Sequence, residues 1–192
     1  GYITTPTNTY DMGIRQHATF NIWFNCKNFT AVRYLLSDTD DVPALQGMSM
    51  YTTATTGVLA ASVYPNNHRI TSTVSPVIGK DHLLTFVMNG ANEYLYLDGV
   101  QIGTAELNED IGSSASPFRI GTRGDLDNVV TRCATSDISL VSVYNRAFSL
   151  NEIQQLKIDP FQMFRPPFDL YLIGGVVIPG ISGGQLIMIQ EL

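Results

Sequence analysis

Short apolar runs alternating with polar residues fill most of the chain, and glycine, asparagine, aspartate and proline punctuate them. The stretch 81–106 shows this most clearly. Leu84, Phe86 and Met88 fall two apart, and Leu95, Leu97, Val100 and Ile102 continue apolar runs on either side of Asp98-Gly99. Residues two apart share one face of an extended strand, so this spacing predicts a half-buried sheet. Asp98-Gly99 between two apolar runs predicts a tight hairpin, because a type I′ turn needs positive φ and glycine adopts it without steric cost. Residues 89–92, Asn-Gly-Ala-Asn, make the preceding turn, giving a three-strand antiparallel meander.

The same alternation recurs elsewhere. Phe20, Ile22 and Phe24 take one face of a strand, and Thr19, Asn21, Trp23 and Asn25 take the other; Trp23, the sole tryptophan, is expected to fill a gap against a covering loop. Further strands are expected over 32–37, 47–51, 58–64, 69–74, 117–121 and 137–144, with 1–9 extended. One helix is predicted. Ser149 and Glu152 have the spacing of a capping box, Leu150, Ile153 and Leu156 share a helical face, and Asp159-Pro160 ends the element. The pattern describes an all-β, antiparallel body over residues 1–158 with one short helix, and a separate tail over 159–192.

Composition narrows the function. A net charge of −6, a pI near 4.8 and only 11 unclustered Lys and Arg exclude a phosphate-binding surface, and with it nucleic acid. No apolar run reaches the roughly 20 residues that span a bilayer. The two cysteines, Cys26 and Cys133, read as two buried thiols or, if their strands are neighbours, as one disulfide. Asp38, Asp40 and Asp41 in one turn could offer oxygen ligands to calcium, the one candidate cofactor; a solvated turn is the alternative. Arg123, Asp125, Asp127 and Asn128 form a loop suited to a cation or to sugar hydroxyls, or equally to solvent. Tyr51 and Tyr64 are candidate platforms for a sugar ring, as are Tyr94 and Tyr96 unless those two pair across strands. His17, His68 and His82 are read as separate surface residues. The motifs of phosphate loops and of His-Glu-x-x-His metalloenzymes are missing, as is the Glu-x-Asp-x-x-Glu strand of a glycoside hydrolase.

Taken in order, ATFNIWFN, HLLTFVMNGANEYLYLDGVQIGTAEL, SPFRIGTRGD and DISLVSVYNRAFSLNEIQQL resemble the laminin-G-like, concanavalin A-like domain. The shared features are a strand with a tryptophan, a Leu-Tyr-x-Asp-Gly hairpin, a Phe-x-Ile-Gly strand and a final strand followed by Tyr-Asn-Arg-Ala-Phe-Ser-x-x-Glu-Ile. The resemblance covers nearly all of residues 1–157. It implies a two-sheet antiparallel jelly-roll β-sandwich in which the strand ending at Cys26 lies beside the one beginning near Asp137, making a Cys26–Cys133 disulfide testable.

In the tail, DPFQMFRPPF resembles the ending of such domains in tailed-phage structural proteins. Phe161, Phe164, Phe168, Leu170, Leu172, Val176 and Ile178 read as an arm for docking on other chains, or for packing back on the body; its glycines and Pro179 rule out a membrane helix. The expected function is a non-catalytic virion structural or recognition module, a capsid decoration or tail component, with glycan binding at its loops. Its arm would join other virion chains, as a homo-oligomer or within a larger assembly, at the virion surface or outside the cell. The alternatives are a secreted or cell-surface carbohydrate-binding domain, a glycoside hydrolase of the same fold, and a pure spacer.

Overall fold

A computed structural model describes residues 3–4, 17–39, 47–54, 56–64, 68–106, 117–123 and 134–162. Among these, eleven strands follow one another: β1 (Ile3–Thr4), β2 (His17–Cys26), β3 (Arg33–Ser37), β4 (Gly47–Thr52), β5 (Leu59–Tyr64), β6 (His68–Thr71), β7 (Asp81–Asn89), β8 (Asn92–Leu97), β9 (Val100–Glu106), β10 (Arg119–Ile120) and β11 (Ser136–Tyr144). One helix, α1 (Leu150–Ile158), comes after them. The strands form a six-stranded sheet in the order β1-β10-β3-β4-β5-β6 and a five-stranded sheet in the order β11-β2-β7-β8-β9. Every pairing is antiparallel.

Alternation produces the sandwich as expected. Phe20, Ile22 and Phe24 of β2 face Leu84, Phe86 and Met88 of β7 and Leu95 of β8 in one core, closed from the other sheet by Leu36, Met48, Met50, Leu59, Ala61 and Ile70. Phe20 and Phe86 stack with ring centroids 6.0 Å apart. Each such side chain contributes roughly 1.5–3 kcal/mol by leaving water. The meander forms with its two turns as predicted, and Asp98 (φ 54°) and Gly99 (φ 80°) both take the positive φ of a type I′ turn.

The five-stranded sheet departs from the expectation of a half-buried layer, because both its faces are covered. Thr19, Asn21 and Thr85, which alternation assigns to the polar face, are 1% exposed or less. Segment 145–158 lies over them. Thr19 Oγ1 donates to Arg146 O (2.7 Å) and accepts from Phe148 N (2.9 Å), while Thr85 Oγ1 donates to Asn21 Oδ1 (2.7 Å). The capping box forms as expected, with Ser149 N–H donating to Glu152 and Glu152 N–H to Ser149 Oγ. The helix then buries Ile153 and Leu156; Ile153 packs against Val87 and Tyr96, and Leu150 stays exposed. Tyr94 and Tyr96 therefore pair with each other, centroids 6.4 Å apart, in the layer that α1 helps to cover. Trp23 is half-buried, and its cover is a helix rather than a loop: Lys157 Nζ stands 4.5 Å from its ring centroid.

Ser136 of β11 pairs with Cys26, so the two strands are neighbours as the family resemblance implied. Cys26 is a free thiol, buried in the core with Sγ donating to Asn28 O (3.4 Å), in line with the buried-thiol reading. Cys133 lies outside the described residues.

Candidate functional site

The outer face of the six-stranded sheet is set by register. Arg119 of β10 stands opposite Ser37, Ser37 opposite Ser49, Ser49 opposite Ser62, and Ser62 opposite Arg69, one residue from each of five strands. Opposed residues share a face, so a serine ladder crosses the sheet with an arginine at each end. The next row carries Tyr34 opposite Tyr51 and Tyr51 opposite Ala60.

The ladder is a floor. Ser37, Ser49 and Ser62 are each 1% exposed or less. Thr39 Oγ1 bonds both Ser37 Oγ (2.6 Å) and Ser49 Oγ (2.5 Å), and the Tyr51 hydroxyl bonds Ser62 Oγ (3.0 Å). Above it runs a line of rings and guanidinium groups. Arg69 Cζ lies 5.5 Å from the Tyr51 centroid, Tyr51 lies 5.1 Å from Tyr34, and Arg123 Cζ lies 5.9 Å from Tyr34. Guanidinium over a ring face is held by the ring quadrupole, so the four side chains brace one another. Arg69 is exposed, Tyr34 and Arg123 are half-buried, and Tyr51 is nearly buried. Aromatic faces beside fixed N–H donors can stack on a sugar ring and hydrogen-bond its hydroxyls.

Of the residues expected at a site, Tyr51 and Arg123 come together, joined by Tyr34, which the sequence pattern does not single out. Tyr64 is half-buried on the same face, but about 13 Å further along β5, four residues from Ala60. Asp38 is buried, and its Oδ1 accepts from Met48 N (2.6 Å), anchoring the start of β4. Asp40, Asp41, Asp125, Asp127 and Asn128 lie outside the described residues, as do Phe164, Phe168, Leu170, Leu172, Val176 and Ile178 of the arm. Among the described residues no three His, Cys, Asp or Glu side chains gather to hold a metal ion.

A second polar cluster joins His82, Asp98 and Lys157. His82 Nδ1 lies 2.7 Å from Asp98 Oδ2, and His82 Nε2 accepts from Val77 N (3.0 Å). The Val77 amide assigns the proton to Nδ1, so His82 is neutral and donates to Asp98. Asp98 Oδ1 accepts from Leu83 N (2.9 Å) and pairs with Lys157 Nζ (2.7 Å). Burial works to raise the Asp98 pKa, but the bonds from Lys157, Leu83 N and His82 outweigh it and hold the carboxyl below the usual range. The sequence contains one Gly-x-Ser-x-Gly spacing, at residues 180–184, outside the described residues. His82 is a buried strut and not the surface residue expected. Glu93, 1% exposed on the inner face between Met88 and Ala105, has no hydrogen-bond partner for Oε1 among the described residues, and burial pushes its pKa up to about 7.

Two packed antiparallel sheets around one aromatic core are the architecture of lectin-type sandwiches, and the chain belongs to the concanavalin A-like lectin/glucanases superfamily, whose family model matches residues 1–154. No curated protein matches the chain. Among solved structures it is similar to the Ruminococcus gnavus IT-sialidase CBM40 bound to α2,3 sialyllactose, with TM-score 0.63 and 14% identity over 76% of this chain and 84% of that one. The binding domain of Paraclostridial Mosquitocidal Protein 1 is similar at TM-score 0.65 and 15% identity over 84% of this chain and 41% of that one. Trypanosoma rangeli sialidase is similar at TM-score 0.59 and 15% identity, with 77% of this chain covering 23% of that one. The chain thus spans about a quarter of the length of the sialidase, and at these identities the likeness is one of fold.

Proposed function

We propose that the chain is a non-catalytic glycan-binding module that presents the Arg69–Tyr51–Tyr34–Arg123 line to a sugar. The observation that carries this reading is the line itself: two tilted, adjacent tyrosine rings flanked by guanidinium donors, raised on a braced floor of serines. It fits the superfamily and the sialyllactose named with the Ruminococcus gnavus domain. Among the described residues Asp38 is engaged with Met48 N, Asp98 with Lys157 and Glu152 with the helix cap, and Glu93 is shut inside the sandwich at 1% exposure, which does not favour the carboxylate pair of a glycosidase. The expectation is therefore binding without turnover.

A glycan array followed by titration calorimetry on the full chain, with and without calcium, tests this. Arg69→Ala and Tyr34→Ala should each weaken binding about five- to thirtyfold, in line with roughly 1–2 kcal/mol for a stacking or cation–π contact. Lys80→Ala, on a distant exposed loop, should leave it unchanged. No sugar bound in either buffer would leave the spacer reading. The finer assignment, a virion module whose arm of residues 159–192 joins other chains, is favoured by the aromatic and proline-rich DPFQMFRPPF followed by strand-like apolar runs. It predicts that Leu172→Asp with Ile178→Asp leaves the fold and sugar binding intact but abolishes incorporation into particles. A secreted or cell-surface carbohydrate-binding domain would use the same face without that step.

A further inference from the structure

We infer that the pole of the sandwich around Asp98 is the receptor for the C-terminal arm of a second copy of this chain. The inference rests on the docking-arm reading above and names the surface the arm meets.

Four of the exposed large apolar side chains lie on segments that are bonded at or next to Asp98. Val77 is 60% exposed, Ile78 54%, Val100 65% and Ile158 83%. Their placement follows from the bonds at Asp98. Val77 N donates to His82, His82 donates to Asp98, Val100 is two residues beyond Asp98, and Ile158 follows Lys157, whose Nζ is paired with the same carboxylate. Three segments that are remote in sequence (the 72–80 loop, the β8–β9 turn and the end of α1), each bearing exposed apolar residues, are thus tied to one anchored carboxylate. Single exposed apolar residues are ordinary, but a group of them on a braced support marks a contact surface.

The chain also supplies a matching occupant. Phe161, 52% exposed, continues directly from α1, and Gln162 N donates to Asp159 O, so the described chain ends at this same pole. Those residues include the apolar runs 170–173, 176–178 and 186–189, with Arg165, Asp169 and Glu191 as their only charged side chains. Such runs need cover from water. Pro166-Pro167, coming first, favours an extended, semi-rigid spacer of about 3.1 Å per residue. A spacer of that kind would favour reaching a neighbour's pole over folding back on its own. Each copy then bears one arm and one receptor, a head-to-tail contact that joins copies without requiring a two-fold axis.

Complementation by the full-length chain tests this. Wild type should self-associate in light scattering and sedimentation as its concentration rises. Val77→Asp with Ile78→Asp (receptor variant) and Leu172→Asp with Ile178→Asp (arm variant) should each be monomeric alone, with circular dichroism unchanged. Mixed one to one, they should form a two-copy complex, since one partner retains an arm and the other a receptor. Ile158→Asp, on the most exposed of the four residues, serves as the receptor variant should the loop pair lose its fold. A monomeric wild type overturns both this inference and the docking between copies. Loss of association in the arm variant alone keeps the arm but overturns this receptor, and so does a mixture that remains monomeric.

Discussion

Asp98 and Glu93 are both carboxyl groups carried into the body of the sandwich, and their surroundings treat them in opposite ways. Asp98 collects Lys157, the Leu83 amide and His82, so its charge is held and its pKa lies below the usual range. The stability it contributes is present at neutral pH and is lost as pH falls through that lowered pKa. Asp98→Asn keeps the residue's tolerance of positive φ but sets an amide N–H against the His82 Nδ1 proton; we expect about 2–3 kcal/mol of destabilisation in urea unfolding at pH 7. Glu93 has only burial, which lifts its pKa from 4.5 to about 7. Across that window the folded chain keeps a proton that the unfolded chain has released, so stability falls as pH rises and levels off above it. Each pH unit within the window costs at most ~1.36 kcal/mol, so the whole loss is at most on the order of 3 kcal/mol. Glu93→Gln should remove that slope, gaining on wild type at pH 8 and not at pH 4.5 in parallel urea titrations.

Among the elements, α1 shows how a short helix is recruited to hide a polar sheet face. Its ends are fixed by Ser149 and by the Lys157–Asp98 pair, and its buried side is Ile153 and Leu156. Ser149→Ala should cost about 1 kcal/mol through the lost cap. Because Lys157 covers Trp23, the lone indole reports on it: fluorescence emission should shift to the red in step with fraying of the helix. The helix was legible from the Ser149/Glu152 spacing and the strands from period-two alternation, since both signals are local. Its target was not. Thr19, Asn21 and Thr85 look solvent-facing in sequence, and only the returning segment 145–158, about 127 residues after Thr19, makes them interior. The same limit applies to Tyr34. Its partnership with Tyr51 depends on the β3–β4 register and on the irregularity between Tyr34 and Leu36, and its contact with Arg123 comes from a third strand connection. Cys26 marks the converse case, in which the resemblance gave the strand neighbours but left the thiol open between a buried free cysteine and a disulfide.

On the scale of the whole molecule, the described residues present a polar face and an apolar pole. The face carries rings and guanidinium groups on serines, and the pole carries exposed aliphatic side chains. No helix among the described residues is long and apolar enough to cross a membrane. The two surfaces make independent predictions. Arg69→Ala should reduce glycan affinity without changing the sedimentation coefficient, and Val77→Asp with Ile78→Asp should do the reverse.

Where β6 and β9 meet at the margins of their sheets, residue 103 has no side chain, and a Cβ placed there would come within 2.5 Å of Ile70 Cγ2. That single missing carbon lets two raw strand margins press together like the lips of a closed seam, each shielding the other from passing chains. Gly103→Val would wedge the seam apart. The expected result is a chain that still collapses but polymerises through its opened flank, visible as thioflavin-positive aggregate at concentrations where wild type stays clear.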